Sequence, residues 1–283
     1  MNRPRTWLIT GASRGIGRAL IVELLARGEK VAATARNADD LAGLAVPGDG
    51  NFVALAMDVT DESTVAAARD AAVKTFGRID VLVNNAGSGL IGAIEEVSQP
   101  EIQALFETNV FGPLRVIRSI LPVMRAQKSG YIINIGSIAG RIGSAGSGLY
   151  CASKFAVAGI SEALAAELAP LNIHVTVVEP GAIRSDFLGR SYRETPVQID
   201  DYAETVGRRR QESRAMNGTQ PGDPVKVARA IADLAGAVSK PLHLVMGVTA
   251  HERALAKCNQ LGQELADWAQ VSQSIDFQQG SKA

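Results

Sequence analysis

The stretch TWLITGASRGIGRALIVELLARG, residues 6–28, decides the fold of this chain. An apolar run leads into a turn containing Gly11, Gly15 and Gly17, and a helical pattern of apolar residues follows and stops at Gly28. This order predicts a buried strand, a glycine-rich turn and a helix. Such glycines let backbone N–H groups approach a pyrophosphate at the positive end of the helix, and a turn without any ligand is the alternative.

Strand and helix patterns alternate through most of the remaining chain. Six more apolar runs predict strands: KVAATA (30–35), NFVALAMDV (51–59), IDVLVNNAG (79–87), YIINI (131–135), HVTVVEP (174–180) and LHLVMG (242–247). Near-continuous apolar strands separated by helices are typical of a parallel sheet covered on both faces. We therefore predict a Rossmann-type, doubly wound α/β fold of about seven strands, in a single domain spanning residues 1–283.

The end of the second predicted strand favours one form of nicotinamide cofactor. An acidic side chain there would accept hydrogen bonds from the ribose 2′-OH and repel a 2′-phosphate. This chain has Arg36 at that place and Arg14 in the glycine turn. Because arginine attracts phosphate, the sequence predicts NADP(H) as the preferred cofactor and NAD(H) as the alternative, while solvated surface arginines remain the simpler interpretation of each residue.

Two further polar positions have a structural and a functional interpretation. Asp58 follows the third strand and could accept a hydrogen bond from the adenine amino group or cap the next helix, a role for which Asp61 competes. Asn109 precedes Gly112 and Pro113, a pair expected to bend or break the helical region between Pro100 and Lys128. The Asn109 amide could therefore bond a freed carbonyl, or it could order a water beside Lys154.

The segment from Gly136 to Lys154 brings three reactive side chain types together. Ser137 follows a predicted strand, and Tyr150 and Lys154 lie four residues apart in a predicted helix, on a single face. An adjacent cation favours the phenolate, so we expect Lys154 to lower the pKa of Tyr150. Ser137 could then hold a substrate oxygen beside the phenol.

Composition narrows the classes of partner. The chain has 283 residues, 46% hydrophobic and 20% charged, which fits a soluble globular class. Lys plus Arg equals Asp plus Glu at 29 each, so we expect neither nucleic acid nor a membrane as partner. We also expect no metal site. We expect no apolar run to come near the roughly 18 residues that span a bilayer. We expect Cys151 and Cys258 to be free thiols in a cytoplasmic protein.

Two segments depart from the alternating pattern. Residues 182–224 are polar and lack strand signals, so we interpret them as a substrate lid with one or two short helices, and the run Arg208 to Arg210 as a solvated helix face. Residues 248–283 are interpreted as a C-terminal helical extension with a frayed polar tail.

Taken together, TGASRGIG (10–17), NNAG (84–87), Asn109, Ser137, the Tyr150-x-x-x-Lys154 pair and Pro180-Gly181 resemble the short-chain dehydrogenase/reductase family. The resemblance covers roughly residues 5–247 in order and spacing, and the pattern is also similar to the hydroxysteroid-dehydrogenase-like branch. It implies an NADP(H)-dependent oxidoreductase, of carbonyl reductase or hydroxysteroid dehydrogenase type, that transfers a hydride between nicotinamide and a ketone, aldehyde or secondary alcohol. The alternative from the residues is a non-catalytic dinucleotide-binding protein that senses redox state.

The resemblance also implies a role for individual residues. Tyr150 is the general acid or base, Lys154 lowers its pKa and holds the nicotinamide ribose, Ser137 polarises the carbonyl, and Asn109 connects Lys154 to a proton-relaying water. The implied cofactor contacts are Gly11, Ser13, Arg14, Gly15, Ile16, Gly17, Arg36, Asp58, Val59, Asn85, Ala86, Gly87, Tyr150, Lys154, Pro180, Gly181, Ile183 and Ser185.

Substrate contacts and assembly are the remaining expectations. Apolar residues around the segment and in the lid indicate a hydrophobic small-molecule substrate: Leu90, Ile138, Ile142, Phe187, Leu188 and Tyr192. The resemblance implies a homo-oligomer, either a dimer through the helices of residues 100–128 and 150–169 or a tetramer.

Overall fold

The computed structural model describes residues 3–44 and 50–277. The strands are β1 Thr6–Ile9, β2 Lys30–Ala35, β3 Phe52–Ala56, β4 Val81–Asn84, β5 Gly89–Ile91, β6 Gly130–Ile135, β7 Ile173–Pro180, β8 Tyr192–Glu194 and β9 His243–Met246. The α-helices are α1 Gly15–Ala26, α2 Glu62–Phe76, α3 Gln99–Phe106, α4 Gly112–Gln127, α5 Gly148–Leu168, α6 Arg208–Met216, α7 Pro224–Gly236, α8 Val248–Asp267 and α9 Ala269–Gln273.

Seven strands form one sheet in the order β3-β2-β1-β4-β6-β7-β9, with every pairing parallel. Trp7 of β1 lies beside Val31 of β2 on one side and Val81 of β4 on the other. The winding therefore reverses between β1 and β4, and open sheets bind ligands at such a point. The predicted doubly wound α/β fold is confirmed.

Helices cover both faces of this sheet. On one face α1 and α7 bury apolar residues such as Leu24 and Ile231, and on the other α2, α4 and α5 bury residues such as Val65, Val116 and Leu164. Each square ångström of apolar surface removed from water contributes about 25 cal/mol. The two apolar layers stabilise the sheet by covering its faces. The carboxyl ends of the strands are not covered by these layers, and the candidate site lies there.

A second, smaller sheet corrects the predicted lid. Gly89–Ile91 of β5 pairs in parallel with Tyr192–Glu194 of β8, so residues 182–224 contain a strand as well as α6 and short helical turns such as Phe187–Ser191 and Ala203–Gly207. Sequence patterns missed this pairing because each strand has only three residues. A three-residue strand is too short to show a period of two.

The interruption between α3 and α4 lies earlier than predicted. Residues Glu107–Phe111 form a π-helical turn, and α4 begins at Gly112 with Pro113 in its first turn. Proline is tolerated there because its missing N–H would have had no partner within the helix. The irregular turn consequently contains Asn109, which is buried. Such π-helical turns occur frequently at functional sites.

One helical stretch corrects the expectation that no apolar run reaches membrane-spanning length. Gly148–Leu171 is long and apolar enough to cross a bilayer by length and composition alone, with a mean hydropathy of 1.2. In the structure this stretch includes α5, which packs against β7 and buries Val157, Leu164 and Leu168. The buried side of this stretch therefore faces the sheet.

Candidate active site

The glycine turn and the NNAG segment interlock at the carboxyl ends of β1 and β4. Gly11 has a φ of +61°, and a Cβ atom there would lie 2.7 Å from the Cα of Ala86. The Asn85 side chain donates to the carbonyl oxygens of Gly11 at 2.8 Å and Thr10 at 3.0 Å. The Thr10 hydroxyl in turn accepts from the backbone N–H groups of Asn85 and Ala86, at 3.0 Å each. Asn85 and Ala86 therefore fix the shape of the turn.

The first turn of α1 offers donors for an anion. Arg14 is the residue before the helix, and no described side chain caps this end by a hydrogen bond. The first turn also contains no acidic residue. A helix start leaves backbone N–H groups without partners inside the helix, and together with the helix dipole they favour negative charge. The residues present, including Ser13, Gly15 and Ile16, fit a pyrophosphate at this place.

The same turn faces the segment that follows β7. A Cβ atom at Gly15 would lie 3.3 Å from the Cβ of Ser185, and at Gly17 it would lie 2.7 Å from the Asn85 amide nitrogen. The guanidinium of Arg14 donates to the Ser191 hydroxyl at 2.6 Å. Arg14 is therefore directed at the lid segment, whereas Arg36 at the end of β2 is exposed. The structure does not bring these two arginines into contact.

Asp58 lies in a turn and does not cap α2. Its Oδ1 accepts from the N–H of Thr60 at 2.9 Å and from the Thr60 hydroxyl at 2.8 Å. Asp61 is the capping residue, since its side chain accepts from the N–H of Ser63 at 2.8 Å. Val59 is buried in the apolar layer beneath. The capping alternative for Asp58 is thus wrong.

Asn109 connects three segments from its place in the π-helical turn. Its Oδ1 accepts from the Ser88 N–H at 2.8 Å, and its Nδ2 donates to the Ser88 carbonyl at 2.8 Å and the Ser153 hydroxyl at 3.0 Å. It therefore bonds a neighbouring loop rather than repairing its own helix. A Cβ atom at Gly87 would lie 3.5 Å from Asn109 Oδ1 and 3.7 Å from Lys154 Nζ, so the two side chains meet beside the glycine.

Lys154 is anchored by a backbone carbonyl. Its Nζ donates to the carbonyl oxygen of Ile135 at 2.9 Å and lies 5.9 Å from the ring centroid of Tyr150. The side chain is buried, and burial disfavours the charged form, which lowers the pKa of Lys154 to about 8. The ammonium therefore exists at neutral pH, one helical turn from the phenol.

The pKa of Tyr150 shifts in the direction opposite to our expectation. Burial raises it above the ordinary value for tyrosine, and a hydrogen bond with Ser137 opposes that shift only in part. Lys154 is not among the groups that lower the pKa of Tyr150, and its Nζ lies 5.9 Å from the Tyr150 ring centroid. The phenol is therefore protonated at neutral pH, the form required of a proton donor.

Buried Glu179 fixes the turn that presents Ser137. A Cβ atom at Gly136 would lie 3.5 Å from Glu179 Cγ, so this side chain packs beside the residue that precedes Ser137. Four residues after Ser137, Arg141 donates to the Glu179 carboxylate at 2.8 Å. His243 lies 3.3 Å from the same carboxylate oxygen. The Ser137 turn is thus held at both ends by β7, the strand that ends in Pro180.

Comparison with known proteins identifies the arrangement. The family model described as short chain dehydrogenase matches residues 5–195. The chain belongs to this family.

Two solved structures and one relative represent the similarity. A short-chain dehydrogenase from Streptomyces avermitilis is 39% identical, with a TM-score of 0.90, over 97% of this chain and 100% of that one. A short-chain dehydrogenase from Burkholderia cenocepacia in complex with NADP is 27% identical, with a TM-score of 0.73, over 94% and 97%. The 3-ketodihydrosphingosine reductase of Bacteroides thetaiotaomicron is 36% identical over 87% of this chain and 88% of the relative. These similarities support an oxidoreductase that binds a nicotinamide dinucleotide.

In this short-chain dehydrogenase the segment of residues 182–224 places two aromatic rings against Tyr150. The ring centroids of Phe187 and Tyr192 lie 6.1 and 5.9 Å from that of Tyr150, and 5.5 Å from each other. The Tyr192 ring packs on Gly89, where a Cβ atom would lie 1.7 Å from its Cδ2. Its hydroxyl lies 3.2 Å from the Ser147 hydroxyl. These residues form an aromatic wall beside the phenol.

The other predicted substrate residues divide between wall and core. Leu188 lies half-buried in the turn after Phe187. Leu90 packs in a small apolar cluster with Val97 and Leu105, and Ile138 and Ile142 pack against α8. The structure therefore brings Phe187 and Tyr192 to Tyr150, whereas Leu90 of β5 belongs to the small apolar cluster and has a packing role.

The predicted nicotinamide contacts lie along the segment after β7. The N–H of Gly181 donates to the Met246 carbonyl at 2.9 Å, which ties Pro180-Gly181 to β9. Ile183 forms a bridge with Gly222 and packs on the core of the α1 face. Ser185 lies beside Gly15, as described above. This segment therefore joins the glycine turn to the lid.

A buried ion pair corrects the interpretation of Arg208 to Arg210 as a solvated face. Arg208 is exposed, but the Arg210 side chain is buried and donates to Glu96 Oε2 at 2.6 Å. Glu96 also accepts from the N–H groups of Ala93 at 2.7 Å and Ile199 at 2.9 Å. A single carboxylate thus holds two parts of the lid to the loop after β5.

Sequence reasoning missed two hydroxyl groups that support the site. Thr10 receives the two backbone donors of the NNAG segment. Ser153 accepts from Asn109 and donates to the Tyr150 carbonyl oxygen at 2.7 Å. The available signal was position, because Ser153 lies three residues after Tyr150 and directly precedes Lys154, on the part of α5 that must face the protein.

Proposed function

We propose that this protein is an NADP(H)-dependent carbonyl reductase that transfers a hydride between nicotinamide and a hydrophobic ketone, aldehyde or secondary alcohol. The observation that carries the proposal is the placement of the Tyr150 phenol at the site that also holds Ser137, one helical turn from Lys154, whose Nζ lies 5.9 Å from the Tyr150 ring centroid. This arrangement supports proton transfer to a carbonyl oxygen. The similarity to a protein named as a ketone reductase supports the same direction of reaction.

The chain's own residues supply position and protons. Ser137 would hold the carbonyl oxygen, and Tyr150 would donate the proton during reduction and accept it during oxidation. Lys154 would stabilise the phenolate that remains, and Asn109 would keep Lys154 and the Ser88 loop in place. When bound, the nicotinamide supplies or accepts the hydride. The glycine turn, Asn85 and Ser185 would hold the dinucleotide.

The NADP(H) preference rests on charge at the end of β2. Arg36 is exposed, and with the described residues it makes no hydrogen bond or ion pair, so its guanidinium is available to a 2′-phosphate. Arg14 would approach the same phosphate only after leaving Ser191. The proposed lid, residues 182–224, would close over the substrate with Phe187 and Tyr192 as an apolar wall. We further propose a cytoplasmic homo-oligomer.

The function is tested by mixing the purified protein with NADPH and a panel of hydrophobic ketones and aldehydes. We expect loss of the NADPH absorbance with at least one compound of the panel and formation of the matching alcohol. A redox-sensing binder would bind NADPH without consuming it. Binding without consumption across the panel would contradict the proposal.

The same assay has an expected pH dependence. Lys154 is charged below its pKa of about 8 and loses the charge as the pH rises through that value. We expect kcat/KM for NADPH, which reports on the free enzyme, to be level below this pH and to fall by about tenfold per unit above it. A profile that stays level to pH 10 would remove the Lys154 ammonium from the mechanism.

Replacing Arg36 by aspartate tests the cofactor preference. We expect NADPH to bind about 10–100-fold more weakly because the phosphate loses a charged hydrogen bond and meets a carboxylate, while NADH binding is retained. The measurement is the ratio of kcat/KM for the two cofactors. Arg125→Asp is the matched control, since Arg125 is an exposed arginine in the last turn of α4, away from the end of β2. An unchanged ratio in Arg36→Asp would show that the phosphate lies elsewhere.

A further inference from the structure

The C-terminal helices present an apolar surface that no other described residue covers. In α8 only Ala250 and Ala254 are buried, where they pack against Ile138. Beyond them, Leu265 is 71% exposed and Trp268 is 64% exposed. Large apolar side chains exposed in a row, rather than singly, mark an interaction site.

The spacing of these residues indicates the kind of partner. Cys258, Leu261 and Leu265 of α8 and Trp268, the residue that caps its C-terminus, follow one another at intervals of three, four and three residues, and we name them the C-terminal stripe. Alternating steps of three and four are the heptad pattern of helices that pair with other helices. Because one stripe of this kind fits another, a second copy of the chain presents the matching surface.

Charge along the helix favours an antiparallel pair. The first part of α8 contains Arg253, Lys257 and a single acidic residue, Glu252, whereas residues 258–277 contain Glu264, Asp267 and Asp276 and no lysine or arginine. Antiparallel pairing sets the basic part of each helix against the acidic part of the other. The acidic residues Glu264 and Asp267 beside the stripe also disfavour an anionic membrane, which binds helices with lysine and arginine on their polar face.

We propose that the C-terminal stripe pairs, antiparallel, with the same stripe of a second copy. The resulting interface has twofold symmetry, so each helix contributes the same residues. It differs from the dimer expected through α4 and α5, because those helices lie on the sheet and α8 extends beyond it with its outer residues exposed. The proposal is independent of the proposed catalytic activity.

The test is the mass of the protein in solution by light scattering over a range of concentrations. We expect the Leu265→Glu variant to have half the solution mass of the wild type, whether or not α4 and α5 form another interface. The new carboxylate would lie inside the paired stripe and prevent the two stripes from packing together. Gln270→Glu adds the same charge at an exposed position outside the stripe and is expected to keep the wild-type mass. Equal mass for Leu265→Glu and the wild type would overturn the proposal.

A second measurement uses the thiol of Cys258. Cys151 is buried, so a thiol reagent reports mainly on exposed Cys258. We expect slow labelling of the wild type that accelerates on dilution, and fast labelling of Leu265→Glu at every concentration. Labelling at one rate in both proteins at all concentrations would overturn the proposal, as would binding of a monomeric wild type to vesicles of anionic phospholipid.

Discussion

Replacing Tyr150 by phenylalanine is expected to lower kcat for ketone reduction by a factor of about 10²–10⁴, the contribution typical of a positioned general acid. The substitution removes only the phenol oxygen, so the ring contacts with Phe187 and Tyr192 are retained. Ser137 and Lys154 keep their places, but the phenol that would pass the proton to the substrate is gone. The measurement is steady-state turnover with saturating NADPH.

Two controls separate chemistry from folding. Binding of NADPH to Tyr150→Phe, followed by fluorescence, should stay within a few-fold of the wild type, because the glycine turn and Asn85 are untouched. Tyr131→Phe removes a phenol oxygen from another buried tyrosine, whose hydroxyl lies 2.7 Å from that of Thr176 in the sheet. That variant should keep its turnover. Full activity in Tyr150→Phe would exclude the phenol as the proton donor.

Replacing Arg210 by methionine is expected to cost about 3 kcal/mol of stability in the lid or in the whole protein. The substitution leaves the Glu96 carboxylate buried without its charged partner. Burial alone pushes the pKa of Glu96 up, but the N–H groups of Ile199 and Ala93 and the Arg210 guanidinium together bring it below its usual range. We take the lower end of the range for buried pairs because the N–H groups of Ala93 and Ile199 still donate to the Glu96 carboxylate in the variant.

The measurement is the free energy of unfolding from denaturant titration, together with protease resistance of residues 182–224. Arg208→Met is the matched control, since Arg208 is exposed and pairs only with exposed Glu204 among the described residues. The double variant Arg210→Met with Glu96→Gln should recover most of the loss, because the amide oxygen still accepts from Ala93 and Ile199 without carrying a charge. Equal stability of Arg210→Met and Arg208→Met would mean that the ion pair does not hold the lid.

The sheet was predictable because its signals are local. Each central strand is an apolar run, as in TWLI of β1, and the helical pattern that follows the glycine turn and stops at Gly28 is α1, Gly15–Ala26. The same holds for the positions of Tyr150 and Lys154, since four residues in a helix fix their relation. The fold and the outline of the site could therefore be inferred from the chain alone.

Other features depend on residues far apart in sequence. The Glu96–Arg210 pair joins positions 114 residues apart, and nothing near Arg210 distinguishes it from its exposed neighbour Arg208. The pKa of Tyr150 depends on burial and on the hydrogen bond with Ser137, and the spacing of residues within α5 determines neither. The sequence shows which charged residues the chain contains, but it does not determine which partner each of them contacts in the folded protein.

The attachment of the lid has a consequence for the rate of turnover. Two of its attachments, the β5–β8 pairing and the Glu96–Arg210 pair, end on the segment of residues 89–96, while the hydrogen bond from Arg14 to Ser191 ties it to the glycine turn. The proposed lid and residues 89–96 should therefore move together, and opening must also break the Arg14–Ser191 hydrogen bond. Because opening must move this larger body, we expect release of the alcohol product, rather than hydride transfer, to be the rate-limiting step of turnover.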